Sequence, residues 1–260
     1  MTDEQKFLFD LNGWLLIPGV LESEQIALIK EHLEQLKNNP DQLESKYRHC
    51  YAGPVAELHD HPVAVDILRC ILGKDINEKA YGFRLDGCYS QYRETGNGGL
   101  APHGGGPNVN PNFSYQCKNQ MIYSALTRVV WELNEVEHGK GGTLLMSGSH
   151  KANFTVPKEH RVAESFLFDT YSCPPGSLLF FTENLCHAGD TWQMPDPRMA
   201  VFNAYTSHQA QFHKSSWNPE TIAEWPEKRQ SLVRGVWHAD FSESRPPKLN
   251  DWYGDDNKAY

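Results

Sequence analysis

Apolar residues along this chain change their spacing once, near position 80. Before that point the period is helical. Ile26, Ile29, Leu33 and Leu36 recur at three- and four-residue intervals behind Ser23, which reads as an N-cap, and Asn38-Asn39-Pro40 stops the run. Val65, Leu68, Ile71 and Leu72 predict a second helix over about Pro62 to Leu72, with Gly73 after it. Ahead of both, Phe7 to Pro18 opens apolar, turns at Asn12-Gly13 and runs apolar again, so Trp14 to Ile17 is expected as a short buried strand. From about Tyr81 the texture becomes short β segments separated by glycine and proline. The candidates are Phe83 to Arg93, Met121 to Leu133, Thr143 to Met146, Gly176 to Phe181 and Met199 to Thr206. A short helix is expected near Pro219 to Val233, followed by an irregular tail.

Helices first and strands later favour a helix-backed β-barrel over an alternating parallel sheet. No linker or repeat divides the chain, so one domain over residues 1–260 is expected. Residues 1–80 form its helical support, 81–208 its β core and 209–260 a C-terminal extension.

Composition narrows the function classes. With 39% hydrophobic and 12% aromatic residues, the chain can build a sizeable core. No apolar run approaches the roughly 18 residues that span a bilayer, and the polar start Met1-Thr-Asp-Glu-Gln-Lys does not read as a signal peptide. A net charge of −9 argues against a nucleic-acid groove. The six cysteines show no C-x-x-C pair, so they are expected reduced and packed, in a cytoplasmic enzyme or binding protein.

Three residues carry candidate chemistry. His103 opens the run His-Gly-Gly-Gly106, where glycines permit close approach of backbone to a ligand. His187 follows Ser-Leu-Leu-Phe-Phe181, a strand able to deliver it rigidly to the start of the turn His-Ala-Gly-Asp190. Arg198 directly precedes the strand-like Met-Ala-Val-Phe-Asn-Ala-Tyr205, where a guanidinium can grip a carboxylate through two parallel hydrogen bonds. Imidazoles suit iron among other metals. Taken singly, each residue reads more simply as a packed histidine or a solvated strand-end charge. Gln91, Tyr115, Arg128, Thr143 and Asn203 could line a pocket from neighbouring strands, although Arg128 and Asn203 fit an outward position better. His150 is expected to tighten its loop, and Trp131 and Trp192 to be core.

Together these features resemble the phytanoyl-CoA dioxygenase (PhyH-like) family of iron(II)- and 2-oxoglutarate-dependent oxygenases. Asn12-Gly-Trp-Leu-Leu-Ile-Pro-Gly-Val-Leu-Glu-Ser-Glu-Gln-Ile26 is similar to the family's strand–helix entry. Gly141-Gly-Thr-Leu-Leu-Met-Ser-Gly-Ser-His-Lys151 resembles its central Gly-Ser-His stretch. The resemblance implies a mainly β fold, a double-stranded β-helix (jelly-roll, cupin-like barrel) with supporting N-terminal helices. It implies an oxidoreductase that hydroxylates a small organic metabolite, with iron on His103 and His187 and 2-oxoglutarate on Arg198, helped by Gln91 and Thr143.

One departure stands out. The family's first ligand begins a His-x-Asp pair, and here the pair reads His103-Gly104-Gly105. Another carboxylate could complete the site, and Glu183 is the nearest in sequence to a ligand. Four extended residues cover roughly 13 Å, so Glu183 can join His187 only if the chain bends sharply between them, as the turn former Asn184 allows. A chloride could instead fill the space, as in related halogenases with Gly or Ala at that position. Or the site has decayed into a non-catalytic small-molecule-binding barrel. A reading from another class, the His-Gly-Gly-Gly oxyanion loop of lipase-like hydrolases, fails for want of a Gly-x-Ser-x-Gly elbow.

Overall fold

The computed structural model describes residues 1–107 and 113–236. Its centre is a five-stranded antiparallel sheet in the order β1-β7-β5-β9-β2, formed by β1 (Trp14–Ile17), β2 (Phe83–Arg93), β5 (Thr127–Glu132), β7 (Ser177–Thr182) and β9 (Arg198–Ser207). Two strands, β6 (Thr143–Met146) and β8 (Cys186–Gly189), form a second, smaller sheet. Isolated bridges extend it on both sides, Asp169 pairing with Leu145 and His103 with His187. A separate hairpin joins β3 (Gln116–Lys118) to β4 (Met121–Tyr123). This two-sheet arrangement is the expected mainly β jelly roll.

Both faces of the large sheet are buried, which is why its strands read as apolar runs rather than as alternations. The two faces serve different cores. Val129, Trp131, Leu178, Phe180, Val201 and Tyr205 pack outward beneath the helices α2 (Ser23–Asn38) and α3 (Pro62–Ile71). Val130, Leu179, Phe181, Ala200 and Phe202 pack inward toward the small sheet, with Leu145 and Trp192. Alternate residues of one strand therefore face the helices and the barrel interior in turn.

On β2 this alternation is reset. Phe83 and Leu85 lie opposite Ser207 and Tyr205 and belong to the helix-side core, but the register slips by one between Leu85 and Gly87. The residue spanning the slip is Asp86. Beyond it Tyr89, Gln91 and Arg93 lie opposite Phe202, Ala200 and Arg198 and line the interior instead. The fully buried Asp86 carboxylate accepts hydrogen bonds from Arg84 Nη1 (3.2 Å), Phe212 N (2.9 Å) and His213 N (2.8 Å), which anchors the bulge.

Several expectations need correction. Ser23 is the first residue of α2, and its cap is Glu22, in a reciprocal box with Gln25. The polar stretch before Gly13 forms a helix, α1 (Asp3–Asn12), capped by Thr2. The segment Met121 to Leu133 is two strands, broken where Ala125 takes a positive φ of 58°. The helix near Pro219 to Val233 splits into α4 (Pro219–Ala223) and α5 (Glu227–Gln230) because Pro226 interrupts it. His187 is not at the start of a turn; it lies within β8. The tail expected after Val233 falls almost wholly outside the described residues. All six cysteines are free. No described helix is long and apolar enough to cross a membrane.

Candidate active site

Between the two sheets lies a small cleft of about 70 Å³. Into it project Tyr89, Gln91 and Arg93 from β2, Arg128 from β5, Thr143 from β6, His187 from β8, and Arg198 and Phe202 from β9, with His103 and Glu183 from the connections.

The two histidines face each other across backbone pairing. His103 N–H donates to His187 O (3.0 Å) and His187 N–H to His103 O (2.9 Å), bringing the ring centroids to 4.1 Å. Each ring is then fixed by its own segment. His103 Nδ1 bonds Ala101 O at 2.9 Å, and His187 Nδ1 bonds Leu185 O at 2.8 Å. A carbonyl can only accept, so both protons sit on Nδ1 and each Nε2 keeps its lone pair. Burial pushes His187 down to about 4, against the pull of Glu183, so its ring is neutral at pH 7 and able to ligate.

Glu183 brings a carboxylate to the same cluster. The chain leaves β7 at Thr182 and turns at once, Leu185 N–H donating to Thr182 O at 2.9 Å. The turn, with Asn184 in it, brings Glu183 Oε2 within 3.7 Å of His187 Nε2 although the two residues are four positions apart. His103, Glu183 and His187 each present a ligand atom, and these lie within 4.8 Å of one another. The other carboxylate oxygen, Oε1, accepts from Arg128 Nε. Burial raises the Glu183 pKa, but Arg128 and His187 outweigh it and hold the group below the usual carboxylate range. Arg128 is thus an inward residue, not an outward one.

The glycine run explains how this turn is held. Gly104, Gly105 and Gly106 all have positive φ (73°, 74° and 92°). They let the chain lie flat against the 183–186 turn, where Gly105 N–H donates to Asn184 O at 2.9 Å. A Cβ on Gly104 would stand 2.4 Å from Leu185 O, and one on Gly105 would stand 2.6 Å from Cys186 Cβ. Position 105 therefore faces packed protein, not an opening beside the imidazoles. A side chain at position 105 would run into Cys186 and Val156, and the carboxylate nearest the imidazoles is that of Glu183, on the turn against which the glycines pack.

Arg198 lies at the far side of the cleft, fully buried, with its fork on Glu132: Nε donates to Oε2 at 3.0 Å and Nη2 to Oε1. Its Nη1 donates to Gln91 Oε1 at 2.8 Å. Burial opposes the charge on Arg198, but Glu132 and Tyr171 hold its pKa raised. Glu132 also accepts from the Tyr171 hydroxyl at 2.6 Å. Gln91 and Thr143 line the cleft as expected. Tyr115 does not, since its hydroxyl donates to Asp10 and its ring stands edge-on to His150. Asn203 is buried on the helix-facing side of β9 and donates to Tyr205 Oη at 3.2 Å. His150 holds its loop through Asp10 O, and Trp131 and Trp192 are core.

Sequence reasoning missed Arg93 and Glu132. Both follow from alternation: Glu132 lies four residues beyond Arg128 on β5, and Arg93 two beyond Gln91 on β2.

Among solved structures, the chain resembles HygX from Streptomyces hygroscopicus with nickel and 2-oxoglutarate bound. They share 19% identity and a TM-score of 0.66 over 80% of this chain and 87% of that one. The same enzyme with nickel, 2-oxoglutarate and hygromycin B bound aligns over 93% of this chain and 98% of that one, with the same identity and score. The epimerase SnoN in complex with Fe3+, alpha ketoglutarate and nogalamycin RO aligns at 16% identity and a TM-score of 0.56, covering 85% and 87%. At such identities the likeness establishes the fold. No curated protein matches the chain by sequence. The family model of phytanoyl-CoA dioxygenase matches residues 9–200, and the chain belongs to that family of iron(II)- and 2-oxoglutarate-dependent oxygenases.

Proposed function

We propose that His103, Glu183 and His187 hold the iron, that Arg198, Gln91 and Thr143 hold 2-oxoglutarate, and that the enzyme hydroxylates a small organic molecule. The observation that carries this reading is the convergence of two tautomer-fixed imidazoles and one carboxylate within 4.8 Å. Two nitrogens and one carboxylate oxygen are the donor set that suits iron(II) with positions left open. Iron held there with 2-oxoglutarate would supply, with dioxygen as oxidant, the power to hydroxylate a C–H bond, one oxygen atom going to the substrate and the other to succinate as carbon dioxide is released.

The chain's own residues do the rest. Leu185 O and Ala101 O orient the two rings, which raises their basicity as ligands. Arg128 holds one oxygen of Glu183 and leaves the other turned toward His187, a monodentate pose. Phe181, whose ring centroid is 4.7 Å from that of His187, and Phe202 keep the walls apolar and limit water. Hydroxylation is favoured over chlorination because Glu183 takes the third position and Gly105 packs on Cys186. A small organic substrate accords with hygromycin B and nogalamycin RO in the similar structures. The chain would act as one domain of residues 1–260, in the cytoplasm.

The test is succinate release from 2-oxoglutarate by the purified protein with iron(II) and oxygen. Release that needs iron and disappears in His187→Ala supports the reading. Release at the same rate with the metal chelated contradicts it.

A further inference from the structure

Two of the six free cysteines stand side by side. Cys50 lies in the loop ahead of the helical turn Gly53–Leu58, and Cys88 lies on β2 just past the bulge. Each thiol contacts the other residue's backbone: Cys50 Sγ donates to Cys88 O at 3.4 Å, and Cys88 Sγ to Cys50 O at 3.6 Å. The two residues are 38 positions apart in the chain, so this reciprocity comes from the fold and not from local sequence. Both are partly exposed, whereas Cys173 and Cys186 are buried.

The segments that carry them are held in place. Tyr51, next to Cys50, stacks on His49 with ring centroids 4.9 Å apart and meets Trp217 edge-on. Its hydroxyl accepts from Asn218 N–H at 2.9 Å. Cys88 is fixed opposite Asn203 in the ladder between β2 and β9. A disulfide forms without strain only where the two residues already lie close, and here the fold brings them together before any bond exists. The thiols also perturb each other. The hydrogen bond from Cys88 lowers the Cys50 pKa against the opposing effect of burial, while the same contact and burial push Cys88 well up. The pair is thereby polarised: Cys50 has the thiolate character that reacts with an oxidant, and Cys88 keeps its proton.

We propose that Cys50 and Cys88 form a covalent modification site, a dithiol that a hydroperoxide closes to a reversible disulfide. The Cys50 thiolate attacks one peroxide oxygen, and the O–O bond breaks to leave a sulfenic acid and, with the proton Cys50 released, water. The Cys88 sulfur then attacks the Cys50 sulfur, and the hydroxyl leaves with the Cys88 proton as a second water. In sum the two thiols give up two electrons and two protons, and hydrogen peroxide is reduced to two waters. The bond ties the helical layer to the strand that carries Tyr89 and Gln91 into the cleft. The site shares no residue with the proposed iron ligands and stands independently of them.

The experiment treats the folded full chain with hydrogen peroxide, metal chelated, and maps its peptides without reduction. The Cys70→Ser/Cys117→Ser variant removes the two exposed thiols and leaves Cys50, Cys88, Cys173 and Cys186. Two of those four thiols should disappear, the peptides holding Cys50 and Cys88 should be found joined, and dithiothreitol should restore both. The wild-type chain, mapped in the same way, gives the answer should that variant not fold. Cys88→Ser should stop at a sulfenic acid on Cys50, captured by dimedone, and Cys50→Ser should leave Cys88 a free thiol. Oxidation should raise the urea midpoint, because a link across 38 positions constrains the unfolded chain, and dithiothreitol should reverse the rise. A joined peptide found only after unfolding in urea overturns the proposal. So does a native protein in which both thiols survive peroxide or are oxidised without joining, or a midpoint that falls on oxidation.

Discussion

The two oxygens of Glu183 face different neighbours, and this asymmetry sets what the residue can do. Oε1 is taken by Arg128, while Oε2 faces the lone pair of His187 Nε2. Two acceptors 3.7 Å apart have no proton between them, so a cation is the natural occupant of the space they share with His103. The same geometry explains why an aspartate cannot simply be put back at position 105. Gly105→Asp would place a side chain at a left-handed φ of 74° and drive its Cβ to 2.6 Å from Cys186 Cβ. We expect it to destabilise the protein by at least about 2 kcal/mol and to leave Glu183→Ala unrescued for iron. Urea denaturation and metal titration of the single and double variants check both. An iron site regained in the double variant would show that position 105 does reach the metal.

At the scale of the element, β2 decides which side chains reach the cleft. Its extent, Phe83 to Arg93, was legible in the sequence, and so was the place of Gln91 within it. The bulge at Asp86 was not, because a one-residue slip leaves no mark on composition, yet it transfers the odd positions from the helix-side core to the interior. Arg93, two residues beyond Gln91 on the same face, was legible by alternation once Gln91 was placed. The turn after β7 was half legible: Asn184 permitted the bend, but only the chain path shows that it brings Glu183 to His187. Asp86 provides a test at this scale. Asp86→Ala would leave Arg84 buried without its carboxylate and free the 212–213 segment, so a loss of about 3–5 kcal/mol is expected in urea unfolding. A loss below about 1 kcal/mol would mean that the bulge does not depend on this anchor.

Across the whole molecule, two buried histidines make stability depend on pH. Burial pushes His59 and His150 down to about 4 from an ordinary 6.5. Between those values the unfolded chain takes up protons that the folded histidines refuse, so stability falls as pH falls through this window. Each histidine contributes up to about 1.4 kcal/mol per pH unit. The urea midpoint should therefore drop steadily from pH 7 to pH 4.5, and His150→Gln should flatten part of the slope. A midpoint constant across that range would contradict the burial of both rings. The overall plan, helices early and a β-barrel late, was visible because the apolar period changes near position 80. Which face of each strand meets the helices was not visible, since strands buried on both sides carry no polar alternation.

The central claim is that Glu183 replaces the missing aspartate as the third iron ligand. Its most direct test is an anaerobic titration of the wild type, Glu183→Ala and Glu183→Gln with iron(II), read by calorimetry. The wild type should bind one equivalent, and both variants should bind at least 10-fold more weakly, as expected for the loss of a charged ligand. Equal affinity in all three proteins would show that the two histidines hold iron without it.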